Sequence, residues 1–367
     1  MGLPTLNINF ITAAVRTAAR INRGTVAVVV KDEATTLQKK LFKLSSEADI
    51  PSGLSDANKA YVKTALIGGE NKPKNVLLAV IPDGSEDYEA AFELLATQQW
   101  DWLAAAPDCS ATDAQEIAEW ITERRKEGAI YKAVLPNHAA NSEAIVNFAA
   151  SGIITTAEAV KANGKSLTAA EYAARIAGFI CGTPLRSSIT YGILPEVSDI
   201  TRLSKAEMNA AIDAGKLILM HDGVKVKIAR GVTSLTTVGT DKFPQMQKIK
   251  IMDAIDTINR DLRLLVQDEY IGKKVNSYDN KCLLMTAIGA YFKQLEHEGV
   301  LAGGSVVNID NEAQRAYLAA NGIDVTDMTD DEIRQANTGT HVFISAAISV
   351  YDAIEDVEIN ISLDLGA

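Results

Sequence analysis

Two runs of apolar, mostly β-branched residues constrain this chain more than any other feature: Thr25-Val26-Ala27-Val28-Val29-Val30 and Asn75-Val76-Leu77-Leu78-Ala79-Val80-Ile81. A strand with one wet face alternates polar and apolar side chains, whereas a run with no polar interior position needs cover on both faces. The first run follows Gly24 and marks where the folded body begins; the second is stopped by Pro82-Asp83-Gly84, after which Tyr88 to Leu95 takes up helical spacing. From Trp100 strands and helices alternate, with strands expected at Trp100 to Ala104, Ala129 to Leu135, Ile145 to Phe148 and Leu217 to Met220. That order is the signature of an α/β fold.

Helix starts are signalled by capping boxes, in which a hydroxyl and a carboxylate or carboxamide three residues on each accept the other residue's backbone N–H. Thr112 with Gln115, Thr155 with Glu158, Thr168 with Glu171, Ser204 with Glu207 and Thr329 with Glu332 fit. After the turn-rich stretch Gly239 to Pro244, Ile251, Ile255, Ile258, Leu262 and Leu265 line one face of a long amphipathic helix reaching about Tyr270. A second helix is expected over Lys281 to Glu298, closed by Gly299, and the pair opens a separate C-terminal domain. At 367 residues the chain exceeds what one core organises, so two or three domains are expected.

Both ends carry a different signal. Leu6-Asn7-Ile8-Asn9-Phe10 alternates apolar and polar residues and is tethered through a polar stretch bearing Arg16, Arg20 and Arg23. At the other end Val342, Ile344, Ala346, Ile348 and Val350 alternate, Asp352 to Asp356 interrupt, and Val357, Ile359, Ile361, Leu363 and Leu365 then take turns with Glu358, Asn360, Ser362 and Asp364. A one-sided strand at a terminus either completes its own sheet or adds to the exposed edge of a neighbour's. Two such ends on one chain favour the neighbour, because main-chain ladders are directional and fixed in register and so suit a polymer. Leu6, Ile8, Phe10, Val357, Ile359, Ile361 and Leu363 are therefore the candidate intersubunit residues.

The chemistry-bearing side chains are sparse. With 36 Lys+Arg against 47 Asp+Glu the net charge is −11, which repels phosphate backbones and anionic lipid, so neither nucleic acid nor membrane is an expected partner. The opening residues lack a basic segment followed by a long apolar one, and no apolar run nears the roughly 20 residues of a membrane helix; assembly in a cytoplasm is expected. Cys109, Cys181 and Cys282 are far apart and read as buried free thiols. His138 follows an expected strand, with Ser142 and Ser151 not far on, but no Gly-Thr-Ser-like nucleophile turn accompanies it, and His221, His297 and His341 have no companions at ligand spacing. Gly68-Gly69 and Gly303-Gly304 lack phosphate-loop patterns and read as turns. Asp253, Asp256 and Asp261 interleave with Lys250, Arg260 and Arg263, as on a solvated, charge-laced helix face. No catalytic, cofactor or metal site is expected.

Several blocks are similar to the tail sheath family of contractile phages and phage-derived particles, in the branch found among Gram-positive prophages. They are Leu3 to Phe10 with Arg20 and Arg23-Gly24-Thr25-Val26-Ala27; Ala173-Ala174-Arg175-Ile176-Ala177-Gly178 with Thr183-Pro184-Leu185 and Ser188; Asn209 to Ile218 with Ala229-Arg230-Gly231-Val232-Thr233-Ser234-Leu235; and Lys248-Ile249-Lys250 through Asp256 to Tyr270-Ile271-Gly272-Lys273. The resemblance implies a multidomain α/β protein, with a central subtilisin-like domain without protease activity, an α+β C-terminal sheath domain and exchanged terminal arms. The corresponding division is 1–23 arm, 24–95 N-terminal domain, 96–238 central domain, 239–351 C-terminal domain and 352–367 arm. It also implies stacked rings of subunits around a tail tube, contraction triggered at a baseplate, and tube, baseplate and tail-terminator proteins as partners in a virion or particle tail. Since tubes of this family tend to be acidic outside, Lys248, Lys250 and Arg263 are the candidate tube-facing residues. The competing expectations are a soluble hydrolase-like enzyme on the same α/β scaffold and a non-contractile tube subunit, for which the chain is long.

Overall fold

The computed structural model describes residues 24–156, 166–239 and 242–363. The expected N-terminal arm and Glu158 of the Thr155 box lie outside them. The chain divides into two compact units, one running to Thr257 and taking in Asp352 onward, the other Ile258–Tyr351.

The larger unit holds β1 (Thr25–Asp32), β2 (Lys40–Leu44), β3 (Asn75–Pro82), β4 (Trp102–Ala104), β5 (Lys132–Pro136), β6 (Ile145–Phe148), β7 (Ile154–Thr155), β8 (Val197–Asp199), β9 (Lys216–Leu217), β10 (Leu219–His221) and β11 (Val226–Ile228). Seven of them form one sheet in the order β2-β3-β1-β4-β5-β6-β9. The two apolar runs are its neighbouring strands β1 and β3, parallel, with Val26 opposite Val76 and Val30 opposite Val80. β4, β5, β6 and β9 continue the parallel set, and β2 is an antiparallel edge. β7 with β8 and β10 with β11 make separate antiparallel pairs, so the single strand expected over Leu217 to Met220 is divided between two sheets.

The missing polar positions in β1 and β3 are accounted for by the two covering layers. Val26, Val28, Val30, Val76, Leu78 and Val80 face α1 (Asp56–Ile67) and α4 (Ala169–Cys181). Ala27, Val29, Leu77, Ala79 and Ile81 face the other side with α2 (Glu89–Leu95) and α3 (Ala111–Lys126), where Trp100 stacks on Tyr131 at 4.0 Å and Phe92 on Trp120 at 4.5 Å. α1 and α4 touch backbone to backbone: a Cβ at Gly178 would stand 2.1 Å from the Ala65 carbonyl oxygen. Since β4 pairs directly with β1, strands from 24–95 and from 96–238 share one sheet.

Capping boxes are present at Thr168, Ser204 (opening α5, Lys205–Asp213) and Thr329. The box expected at Thr112 lies two residues earlier: Ser110 Oγ accepts from the Asp113 N–H at 3.1 Å, and Asp113 accepts from the Ser110 N–H at 3.0 Å. Asp113 serves in place of Glu or Gln, leaving Thr112 inside the first turn.

α6 (Ile249–Glu269) begins in the larger unit and ends in the smaller. The smaller unit continues with α7 (Tyr278–His297), β12 (Val306–Ile309), α8 (Asn311–Ala320), α9 (Asp330–Gln335) and β13 (Ile344–Ala347). Ser277 caps α7, whose first residue, Tyr278, lies three residues before the start expected at Lys281, and Gly299 follows its end in the left-handed region at φ 72°. α7 buries Leu284, Ile288, Tyr291, Phe292 and Leu295. β12 and β13 pair antiparallel, Ile309 opposite Ile344, so the alternation from Val342 to Val350 yields a four-residue strand.

Candidate functional site

The C-terminal segment returns to the larger unit at Asp352 and is fixed there by charge. Glu355 Oε1 accepts from the hydroxyls of Ser188 at 2.8 Å and Thr190 at 2.6 Å, and Oε2 accepts from Arg230 Nε at 3.0 Å. A second Arg230 nitrogen donates to Asp356 at 2.6 Å, and Lys248 pairs with Asp352 and lies 4.0 Å from Glu355. Only 7% of the Glu355 side chain is exposed. Immediately beyond, burial ends: Val357, Ile359, Ile361 and Leu363 are 67, 75, 80 and 75% exposed. Among the described residues no strand pairs with 357–363. Four apolar side chains with strand periodicity and no cover are a surface that water disfavours and another chain can bury.

A second charged cluster lies at the root of α6. The solvated face expected for Asp253, Asp256 and Asp261 is buried instead. Lys132, on β5 beside Trp102 on β4, brings its Nζ to 2.9 Å from Asp256 and 3.4 Å from Asp253; Arg125 binds both Asp256 oxygens at 3.0 and 3.1 Å, and Trp102 Nε1 donates to Asp253 at 2.9 Å. Burial pushes the Asp256 carboxyl up, but the Lys132 and Arg125 charges outweigh it and hold its pKa below the ordinary value. In the smaller unit Asp261 accepts from the Tyr291 hydroxyl at 2.8 Å. Every carboxylate here has a partner within its own unit, an arrangement suited to fixing a helix in place. Among the described residues no group of three or more His, Cys, Asp or Glu could hold a metal ion. None of the three thiols is in a disulfide, but only Cys181 is buried; Cys109 and Cys282 are half-buried, and burial first of all pushes Cys109 up to about 12.

Residues 83–234 match the phage tail sheath protein central domain and residues 241–364 the phage tail sheath C-terminal domain. The tail sheath protein of Clostridium phage phiCD119 is 36% identical over 369 residues, covering 99% of each chain. The chain belongs to the phage tail sheath family. In fold it is similar to the sheath tail protein of Desulfitobacterium hafniense (TM-score 0.69, 18% identity, 83% of this chain and 94% of that one) and to the anti-feeding prophage helical sheath in its contracted state (TM-score 0.68, 15% identity, 99% and 100%).

The sheath-like blocks of the sequence now acquire positions. Ser188, Arg230 and Lys248, from three separate blocks, converge on the root of the C-terminal segment. Arg175, from the same block as Gly178, is buried between Glu196, at 2.6 Å, and the Gly68 carbonyl, at 2.6 Å. Of the candidate arm residues, Leu6, Ile8 and Phe10 lie outside the described residues, while the C-terminal ones are the exposed row. The candidate tube-facing residues separate: Arg263 is exposed, Lys248 is engaged by Asp352, and Lys250 is buried, lining a small cavity with Leu185 and Ile189. His138 is half-buried, which pushes its pKa down despite Glu119; among the described residues no hydrogen bond joins it to Ser142 or Ser151, and Ser142 Oγ accepts from the Ala144 N–H. Sequence reasoning missed Glu355 and its neighbours, reading the acidic residues only as a break in the alternation.

Proposed function

We propose that this sheath-family chain polymerises as stacked rings around a tail tube, in an extended, metastable lattice whose contraction drives the tube through a target envelope. The carrying observation is the exposed, alternating row Val357, Ile359, Ile361 and Leu363, which has no ladder partner among the described residues of its own chain. Added to a neighbour's sheet edge, it would bury its apolar side while Glu358, Asn360 and Ser362 stay wet. The N-terminal row Leu6, Ile8 and Phe10 has the same pattern and is assigned the same role. Self-association thus comes first among the partners, with tube, baseplate and tail-terminator proteins beyond it, in a particle tail assembled within the host. The role is structural rather than catalytic, a reading supported by the family. Lys248, Lys250 and Arg263 are the residues proposed to face the tube, and the exposed Arg263 is the best placed of the three.

Negative-stain microscopy and pelleting of the purified chain test this, alongside a chain ending at Asp356. The full chain is expected to form long hollow cylinders, and the shortened one to stay a folded monomer. Cylinders from the shortened chain, or its unfolding, would show that residues 357–363 are not the connector.

A further inference from the structure

The larger unit contains a carboxylate receptor that the polymer reading does not call for. We propose that Ser188, Thr190, Arg230 and Lys248 form a clasp for the acidic triplet Asp352, Glu355 and Asp356 of the same chain, holding the root of the C-terminal segment and leaving the segment to pivot from Val357.

The loop from Ser188 to Gly192 is shaped for this task. The Ser188 hydroxyl accepts from the Thr190 N–H at 3.1 Å, the Thr190 hydroxyl accepts from the Gly231 N–H at 3.0 Å, and the two hydroxyls stand 3.0 Å apart, so backbone donors hold both oxygens in place beside the Glu355 carboxylate. Tyr191 follows in the left-handed region at φ 57°, a conformation unfavourable for a bulky residue, while 58% exposed and with its N–H on the Ile228 carbonyl at 2.8 Å. Burial of Tyr191 does not explain that backbone; the turn that sets the Thr190 hydroxyl beside Gly231 and Glu355 does. At Gly192 a Cβ would stand 2.5 Å from the Phe179 ring, which leaves the turn little room to relax.

The segment itself has the complementary shape. Ile354 is 90% exposed and Val357 is 67% exposed, whereas the Glu355 side chain between them is 7% exposed. A stretch that buries its carboxylate and leaves its isoleucine in water is held by charge-assisted hydrogen bonds rather than apolar contact. Arg230 and Lys248 are 32 and 30% exposed, so added salt should loosen the hold. Only the pivot rests on reading 357–363 as an intersubunit strand: a root fixed to its own subunit and a strand fixed to the next would let subunits reorient without unpairing the ladder.

A glutamate-specific protease separates the two ideas, because Glu355 and Glu358 stand three residues apart on one segment, the first clasped and the second exposed. On the full chain, kept dilute enough not to pellet, cleavage after Glu358 is expected to be at least about tenfold faster than after Glu355, since cutting follows the open population. High salt on the native chain, and separately Arg230→Gln with Lys248→Gln, should bring the two rates together; Ser188→Ala with Thr190→Ala should do so in part without removing a charge. Equal rates in the native chain at low salt would overturn the clasp, as would a ratio that neither salt nor any of these changes moves. Once the chain has polymerised, Glu358 should become as resistant as Glu355. If Glu358 is cut equally fast in the polymer, the strand reading and the pivot fail while the clasp stands.

Discussion

Replacing Ile359 and Ile361 by Asp perturbs assembly without touching the folded subunit. The two side chains are 75 and 80% exposed, so the monomer should lose no more than about 0.5 kcal/mol, the usual range for surface changes. A joint that buries them gains roughly 1.5–3 kcal/mol for a fully buried isoleucine; scaled by their present exposure, the pair contributes ~2–5 kcal/mol to each joint. At 1.4 kcal/mol per factor of ten, losing that burial alone raises the critical concentration by roughly 30- to 4,000-fold, and each buried carboxylate adds to the loss. Pelleting across a concentration series, with the thermal midpoint measured in parallel, reads both quantities. Glu358→Ser with Asn360→Ser is the matched control, since those positions should stay wet, and it should leave assembly unchanged. An Asp variant that pellets at the native threshold would refute the reasoning, as would one whose melting falls steeply, because the strand would then be completing its own subunit.

Gly178→Ala should destabilise the subunit by about 1–3 kcal/mol or more, seen as a lowered thermal midpoint, because its methyl group would meet the Ala65 carbonyl at 2.1 Å. Lys132→Met should cost ~3 kcal/mol, toward the low end for a broken buried pair because Arg125 still holds Asp256. Since the folded pKa of Asp256 lies below its ordinary 3.8, its contribution is present above that value and lost as pH falls through the folded pKa; melting curves into that acid range should show a smaller loss in Lys132→Met than in the native chain. Ser110→Ala should lower stability by ~1 kcal/mol and Thr112→Ala by less than about 0.5 kcal/mol, which urea titration resolves.

What the sequence made legible follows from how local each signal is. β1 and β3 could be read as doubly buried because their runs offer no interior polar position, a property of adjacent residues. The caps at Thr168, Ser204 and Thr329 were equally local, and α3 was misplaced by two residues because Asp113 fills a position the pattern reserves for Glu or Gln. The acidic face of α6 was misread for the opposite reason. Alternating charges look alike in water and against a charged wall, and the wall, Lys132 and Arg125, lies 124 and 131 positions from Asp256. The clasp was hidden likewise, with its receptor drawn from three distant segments. The exposed C-terminal row is legible in the sequence, because a period-two pattern is a property of neighbouring residues and needs no distant partner to be read.

That the larger unit is closed by Asp352 and the residues after it has a bearing on timing. A ribosome makes the seven strands of the sheet, α4 and the Ser188 loop before it reaches the acidic triplet, and domains generally fold as units while synthesis proceeds. The exposed row from Val357 to Leu363 comes later still. A nascent subunit therefore has its body in hand before it owns its C-terminal row, so of the two joints proposed for the chain this one can be offered only by a nearly finished subunit.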